Sequence, residues 1–473
     1  MSSESRGGRP DRMATGDGAL HRVAWMMIGL AVAAAGCQLA PPAPEASAGP
    51  YANSLLPLRE RVEVAERWTQ WKREHVLPMV MREQGVDLWI IRDNEADLYY
   101  NNEGPVYSSL VPADLRGMIF DSQYGGSKPA FLLFHDTGDE IEYAEPRDYD
   151  QVGTMVAERD PDTIAISSWN NEPMLAALGG YADRSIDSWT LGVRWYETVS
   201  PEMIERFRDV VGLANEIIAE GFSSAAVTPD VSTTDDLNWW FRQKMLDLGI
   251  EHENHPSISI QRSLADIDKY DDPMEYVVGA RTRNDIDVVI RRGDVLRVDT
   301  DVFMFGLVTD THQYAYVLRE GETEVPAELV DALDTANAIQ DQFATQFKVG
   351  RTGKEIVAAS EALTFPDNLA GPPTNDFHPP PKYMLRFHRD GWMLSTKTAV
   401  VGMTSGPGYA STSIVTNDHA LHTDTLYAFE PHIDVTIDGW GEQGLELGHG
   451  QIVAFTENGF EFLNRAPDWH VIR

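Results

Sequence analysis

Apolar residues recur at helical spacing from Leu58 to Gln84 (Val62, Ala65, Trp68, Val76, Met79, Val80), and Gly85 ends the run. That spacing predicts an amphipathic helix. Directly after it, Val86 to Ile91 reads VDLWII, a short continuous apolar stretch of the kind carried by a strand covered on both faces. Ala130 to Phe134 (AFLLF) and Thr163 to Ser167 (TIAIS) share that texture, and Met174 to Leu178 is amphipathic. Helix and strand alternate, so residues 56–198 are expected to form a small α/β domain.

The texture changes at Ser200-Pro201-Glu202, where a serine N-cap and a proline at the first helical position predict a long helix to about Gly221. A turn, VTPDVSTT, leads to a second helix from about Asp235 to Leu248, stopped by Gly249. The pattern recurs: a helix from about Ala327 to Phe347, a turn KVGRTG, and a helix from Lys354 to Leu363. Each pair is followed by strand-like runs, which predicts an internally duplicated α+β domain over residues 199–473. Trp239, Trp240 and Phe241 fall within one predicted helix and are expected in the core.

The chain begins differently. Arg6, Arg9, Arg12 and Arg22 precede an apolar run from Val23 to Ala35, too short to span a bilayer, and Gly36-Cys37 follows. Residues 1–36 therefore read as a signal peptide and Cys37 as a lipidation site at a lipobox-like junction, although Ala34 stands where leucine is commoner. Cys37 is the only cysteine in 473 residues, which excludes an intrachain disulfide and a thiolate site. Residues 37–55, with PPAPEASAGP, are expected to act as a flexible tether. The expected location is extracytoplasmic, on a bacterial membrane. With 38 Lys plus Arg against 74 Asp plus Glu, the net charge of −36 repels nucleic acid and anionic lipid, so membrane attachment is expected only through the lipid.

Candidate chemistry lies in the second half. Asp299 and Asp310 stand eleven positions apart on what reads as one β-hairpin, GDVLRVDTDVFMFGLVTDTHQYAYVL. Glu430 follows in DTLYAFEPHID, and the chain closes with QIVAFTENGFEFLN. Carboxylates carried inward by separate strands are a means of holding divalent metals that activate water. The Asp299/Asp310 pair, Phe429-Glu430-Pro431 and the hairpin Val453 to Gly459 occur in an order and spacing that resemble the pita-bread fold of the aminopeptidase P, prolidase and creatinase superfamily. The resemblance covers roughly residues 200–465 and implies a creatinase-like N-terminal α/β domain before the duplicated domain. It also implies two metal ions sharing a hydroxide, held by two aspartates, a histidine and two glutamates. The implied substrate is a short peptide or small amide, and homodimers are common in such proteins. Asp299, Asp310 and Glu430 carry over as ligands.

Two other ligands do not. The segment where a Gly-His pair would stand reads STKTAVVGMTSG (Ser395 to Gly406), and the place of the last glutamate is Gly450. Glu446 and His449 are close but out of register, and the expected place of a further histidine, in GARTRNDIDVVIRRG, contains none. Alternate residues of a strand share a face, which offers replacements: Asp301 beside Asp299, His312 beside Asp310, and His432 beside Glu430 if the strand survives Pro431. Such a mixed oxygen and nitrogen set, for one or two ions, suits Mn, Fe, Co or Zn. His312 and His388 are the candidates to assist catalysis. Three alternatives stay open: a rearranged metal site, a binding protein in which Arg297 supplies a fixed cation beside Asp299, and metal-free hydrolysis using His388 or His449. No serine-hydrolase elbow surrounds Ser263, Ser395 or Ser405, and no phosphate loop occurs. Elemental analysis of the domain from Ser54 onward, after Mn²⁺, Co²⁺ or Zn²⁺ loading, separates these outcomes. Two retained ions indicate a dinuclear peptidase and one a rearranged site, whereas none removes every metal-hydrolase reading.

Overall fold

The computed structural model describes residues 55–92, 131–166, 171–250, 256–270, 272, 287–305, 307–375, 377–378, 419–442 and 444–473. Cys37, the leader, the tether and His388 lie outside them. None of the helices described is long and apolar enough to cross a membrane.

The first helical run is continuous from Leu58 to Gln84, with a π-helical turn at Lys72–Val76 between two α-helical stretches. It stops at Gly85, whose φ of +63° is the left-handed conformation that favours glycine. A five-stranded sheet follows, built from β1 (Leu88–Arg92), β2 (Phe131–Asp136), β3 (Ile141–Ala144), β4 (Ile164–Ile166) and β5 (Ser185–Asp187), in the order β3-β2-β1-β4-β5. β1 pairs parallel to β4 and antiparallel to β2. The apolar run in β1 has a simple cause. Trp89 and Ile91 pack with Val80, Met81, Leu191 and Trp195 on one face, while Leu88 and Ile90 pack with Val152, Val156 and Leu178 on the other.

Two helix pairs, each leading into antiparallel strands, make up the rest. The helix Pro201–Gly221 begins where the Ser200 hydroxyl accepts from the Met203 N–H, and Thr234–Asp247 begins in a capping box of Thr233 and Asp236. They lead into β6 (Ser257–Gln261), β7 (Val295–Thr300), the two-residue strands β8 (Phe303–Met304) and β9 (Leu307–Val308), and β10 (Thr311–Val317). The second pair, Ala327–Ala344 and Gly353–Glu361, leads into β11 (Phe377–His378) and β12 (Thr425–Phe429). Then come β13 (Asp434–Val435), β14 (Leu445–Glu446), β15 (Gln451–Thr456), β16 (Gly459–Phe462) and β17 (His470–Ile472). Two four-stranded sheets result, β17-β10-β7-β6 and β11-β12-β15-β16. The duplicated α+β pattern is thus present beside an α/β part.

Of the aromatic trio, only Phe241 is fully buried, and Trp239 is 57% exposed. The period of the helix turns Trp239 outward, so it is not a core residue as expected. Phe241 packs where Gly221 leaves room, because a Cβ at 221 would overlap its ring. Gly221→Ala is expected to cost about 1–3 kcal/mol by overpacking, read as a lower urea midpoint at unchanged slope.

Candidate functional site

The junction of the two four-stranded sheets gathers the conspicuous carboxylates. β7 and β10 are antiparallel neighbours in a register that sets His312 directly opposite Asp299. Asp310 is the residue before β10, and Glu430 the residue after β12. The His312 N–H donates to the Gly450 carbonyl at 3.2 Å, which ties β10 to the start of β15.

The His312 ring stands among three carboxylates. Its Nε2 is 3.3 Å from Asp299 Oδ2, 3.6 Å from Asp310 Oδ1 and 3.8 Å from Glu430 Oε2. Asp310 and Glu430 are buried, whereas the Asp299 side chain is 34% exposed. On the opposite side of the ring, Arg297 Nη2 approaches Nδ1 to 2.8 Å. The same guanidinium lies 3.7 Å from Asp299 and 3.9 Å from Glu446.

These charges set the proton positions. Burial opposes the charge on Asp299, but His312 and Arg297 outweigh it and hold the carboxyl well below the usual range. Burial and the Arg297 charge push the His312 ring down, and Asp299 and Glu430 more than offset them, raising it to about 10. Nε2 faces only acceptors and carries a proton; the raised value favours a second proton on the ring, whereas the Arg297 N–H against Nδ1 opposes it. Nδ1 has a guanidinium N–H against it and acts as acceptor. This geometry draws the ring as the neutral Nε2–H tautomer; a second proton, on Nδ1, requires Arg297 to turn away.

The donor atoms of Asp299, Asp310 and His312 lie within 4.8 Å of one another, a spacing that suits ligands of one ion. The surroundings do not fit a metal. A ligating Nε2 needs its lone pair, with Nδ1–H donating to an acceptor, and Arg297 presents a donor there instead. Among the described residues, the expected place of the last glutamate holds no side chain. A Cβ at Gly450, the expected place of the last glutamate, would meet His312 Cγ at 2.7 Å. The imidazole occupies the space that a side chain at 450 would need.

Among the described residues, two proposed replacements stay out of this group for one cause. β7 ends at Thr300 and β12 at Phe429, so alternation does not carry through to Asp301 or His432. Asp301 is buried but does not join the converging donors. His432 bridges to Thr374 through its backbone, and its 46% exposed ring faces Glu446 at 3.7 Å. His449 is buried edge-on to Tyr314, and burial pushes its ring down to about 3. The packing of His312 on Gly450 was missed in the sequence, where a histidine present on one strand and a carboxylate absent from another were the only signals.

No family model and no curated protein matches the sequence. Among solved structures, the chain is similar to an X-Pro aminopeptidase from Thermotoga maritima (15% identity, 83% of this chain and 99% of that one, TM-score 0.48). It is also similar to an Xaa-Pro dipeptidase from Bacillus anthracis (14% identity, 86% and 100%, TM-score 0.46). A variant of Escherichia coli aminopeptidase P gives 11% identity over 85% and 96%, with a TM-score of 0.49. These likenesses concern the course of the chain alone.

Gly450→Ala is expected to destabilise the protein by about 1–3 kcal/mol. Adding His312→Ala should recover part of that loss, so a double-mutant cycle in urea reads a coupling of about 0.5–3 kcal/mol.

Proposed function

We propose that this protein is an extracytoplasmic peptide-binding protein on a pita-bread scaffold, in which Arg297 and the His312 N–H replace the hydrolytic metal centre. One observation carries the reading: Arg297 lies against Nδ1 while Nε2 faces the three carboxylates. The ligand class is a short peptide, whose free amino group suits the half-exposed Asp299. Attachment to the membrane is through lipid on Cys37, following the basic and apolar residues before it. A single-ion hydrolase is the second reading, favoured by the convergence of Asp299, Asp310 and His312.

The test compares the native protein with Asp299→Asn/Asp310→Asn after loading with Mn²⁺, Co²⁺ or Zn²⁺ and desalting. Equal metal content in the two, and no cleavage of Xaa-Pro peptides by the native protein, are expected. Calorimetry should show peptide binding that weakens when the peptide's amino group is acetylated. An ion lost with the two aspartates, together with peptide cleavage, would establish the hydrolase instead.

Arg297→Gln supplies an acceptor for Nδ1–H and releases Nε2 as a ligand. This variant is expected to retain one more divalent ion per chain than the native protein by elemental analysis.

A further inference from the structure

A second group of ligating side chains lies away from these carboxylates. The helix Trp189–Glu197 ends at Glu197, whose side chain is 2% exposed. His419 Nε2 stands 3.0 Å from Glu197 Oε2, and the His419 and His422 rings are 5.4 Å apart between centroids. One donor atom from each of Glu197, His419 and His422 lies within 4.8 Å of the others.

The scaffold holds the three in place. Val199 N–H donates to the Asp424 carbonyl at 2.8 Å, joining the end of the helix to the segment that carries the histidines. Leu421, between the histidines, donates to Arg351 at 2.8 Å and accepts from Gly350 at 2.9 Å. The Thr425 hydroxyl donates to the His422 carbonyl at 3.0 Å. Arg194 grips the other Glu197 oxygen, Oε1, at 2.6 Å, which orients Oε2 toward the imidazoles as an outer partner of a metal ligand does.

The charges leave room for a cation. Arg194 also lies 3.2 Å from Glu83, so one guanidinium serves two carboxylates. Lys72 is buried nearby, and its ammonium donates to the Trp195 carbonyl.

We propose that Glu197, His419 and His422 form a mononuclear divalent transition-metal site, with water in the remaining position. Two imidazoles and one carboxylate suit Zn²⁺ foremost, at tetrahedral geometry. The ion links the last helix before Ser200 to the segment entering β12, and so clamps the α/β part to the duplicated part. The sequence carries only a faint signal, His-Ala-Leu-His at 419–422, because the third ligand is more than two hundred positions earlier.

The test uses the whole chain, stripped with chelator, titrated with Zn²⁺ and desalted. One zinc per chain is expected, with a melting temperature that rises with zinc concentration and, for Co²⁺, the visible absorption of a tetrahedral nitrogen and oxygen site. His419→Asn/His422→Asn should lose the zinc and the thermal shift, while Asp299→Asn/Asp310→Asn keeps both. Should the double histidine variant fail to fold, His422→Gln alone is expected to weaken zinc binding at least about ten-fold. Absence of retained zinc in the native chain, or full retention in the histidine variants, would overturn the site. Zinc that departs with the aspartates but stays without the histidines would overturn both this assignment and the proposed loss of the hydrolytic centre.

Discussion

Asp299, Asp310 and Glu430 are brought together by strands from both four-stranded sheets, and such a group exists only with positive charge beside it. Buried carboxylates that face one another raise each other's proton affinity unless a cation intervenes. Here Arg297 and the His312 ring supply that electrostatic relief from within β7 and β10. The arrangement is self-consistent: the guanidinium fixes one ring nitrogen as acceptor, and the carboxylates keep the proton on the other. A site so organised offers hydrogen-bond acceptors and a fixed field, with no lone pair aimed at an ion.

The same residue types are differently ordered at Glu197. There the guanidinium lies against one carboxylate oxygen rather than against an imidazole, and an imidazole faces the other oxygen. The contrast shows why a count of histidines and carboxylates is a poor guide to metal binding.

Packing reinforces the electrostatics. His312 lies over Gly450 so closely that no side chain fits there, and its backbone joins the two sheets at the same point. Loss of a carboxylate at 450 and presence of an imidazole at 312 are therefore two aspects of one steric fact. The neighbouring chain is fixed as well, since the Tyr314 hydroxyl donates to the Gly448 carbonyl and Gln340 to that of His449.

Local chemistry made much of the architecture legible in the sequence. Ser200 and Pro201 mark a helix start because capping and a fixed φ act within one turn, and the apolar run at Leu88 to Ile91 marks a strand because both of its faces are covered. The repeat of helix pair and strands was legible for the same reason. The motif order also marked Asp299, Asp310 and Glu430 as residues to bring together. Only the tertiary structure decided what stands among them. Strand register set His312 opposite Asp299, and the ends of β7 and β12 kept Asp301 and His432 away. The meeting of the two sheets placed Gly450 beneath the ring, and the helix end at Glu197 met histidines from far along the chain. These are contacts between distant segments, fixed by register and close packing, and no local pattern of residues encodes them.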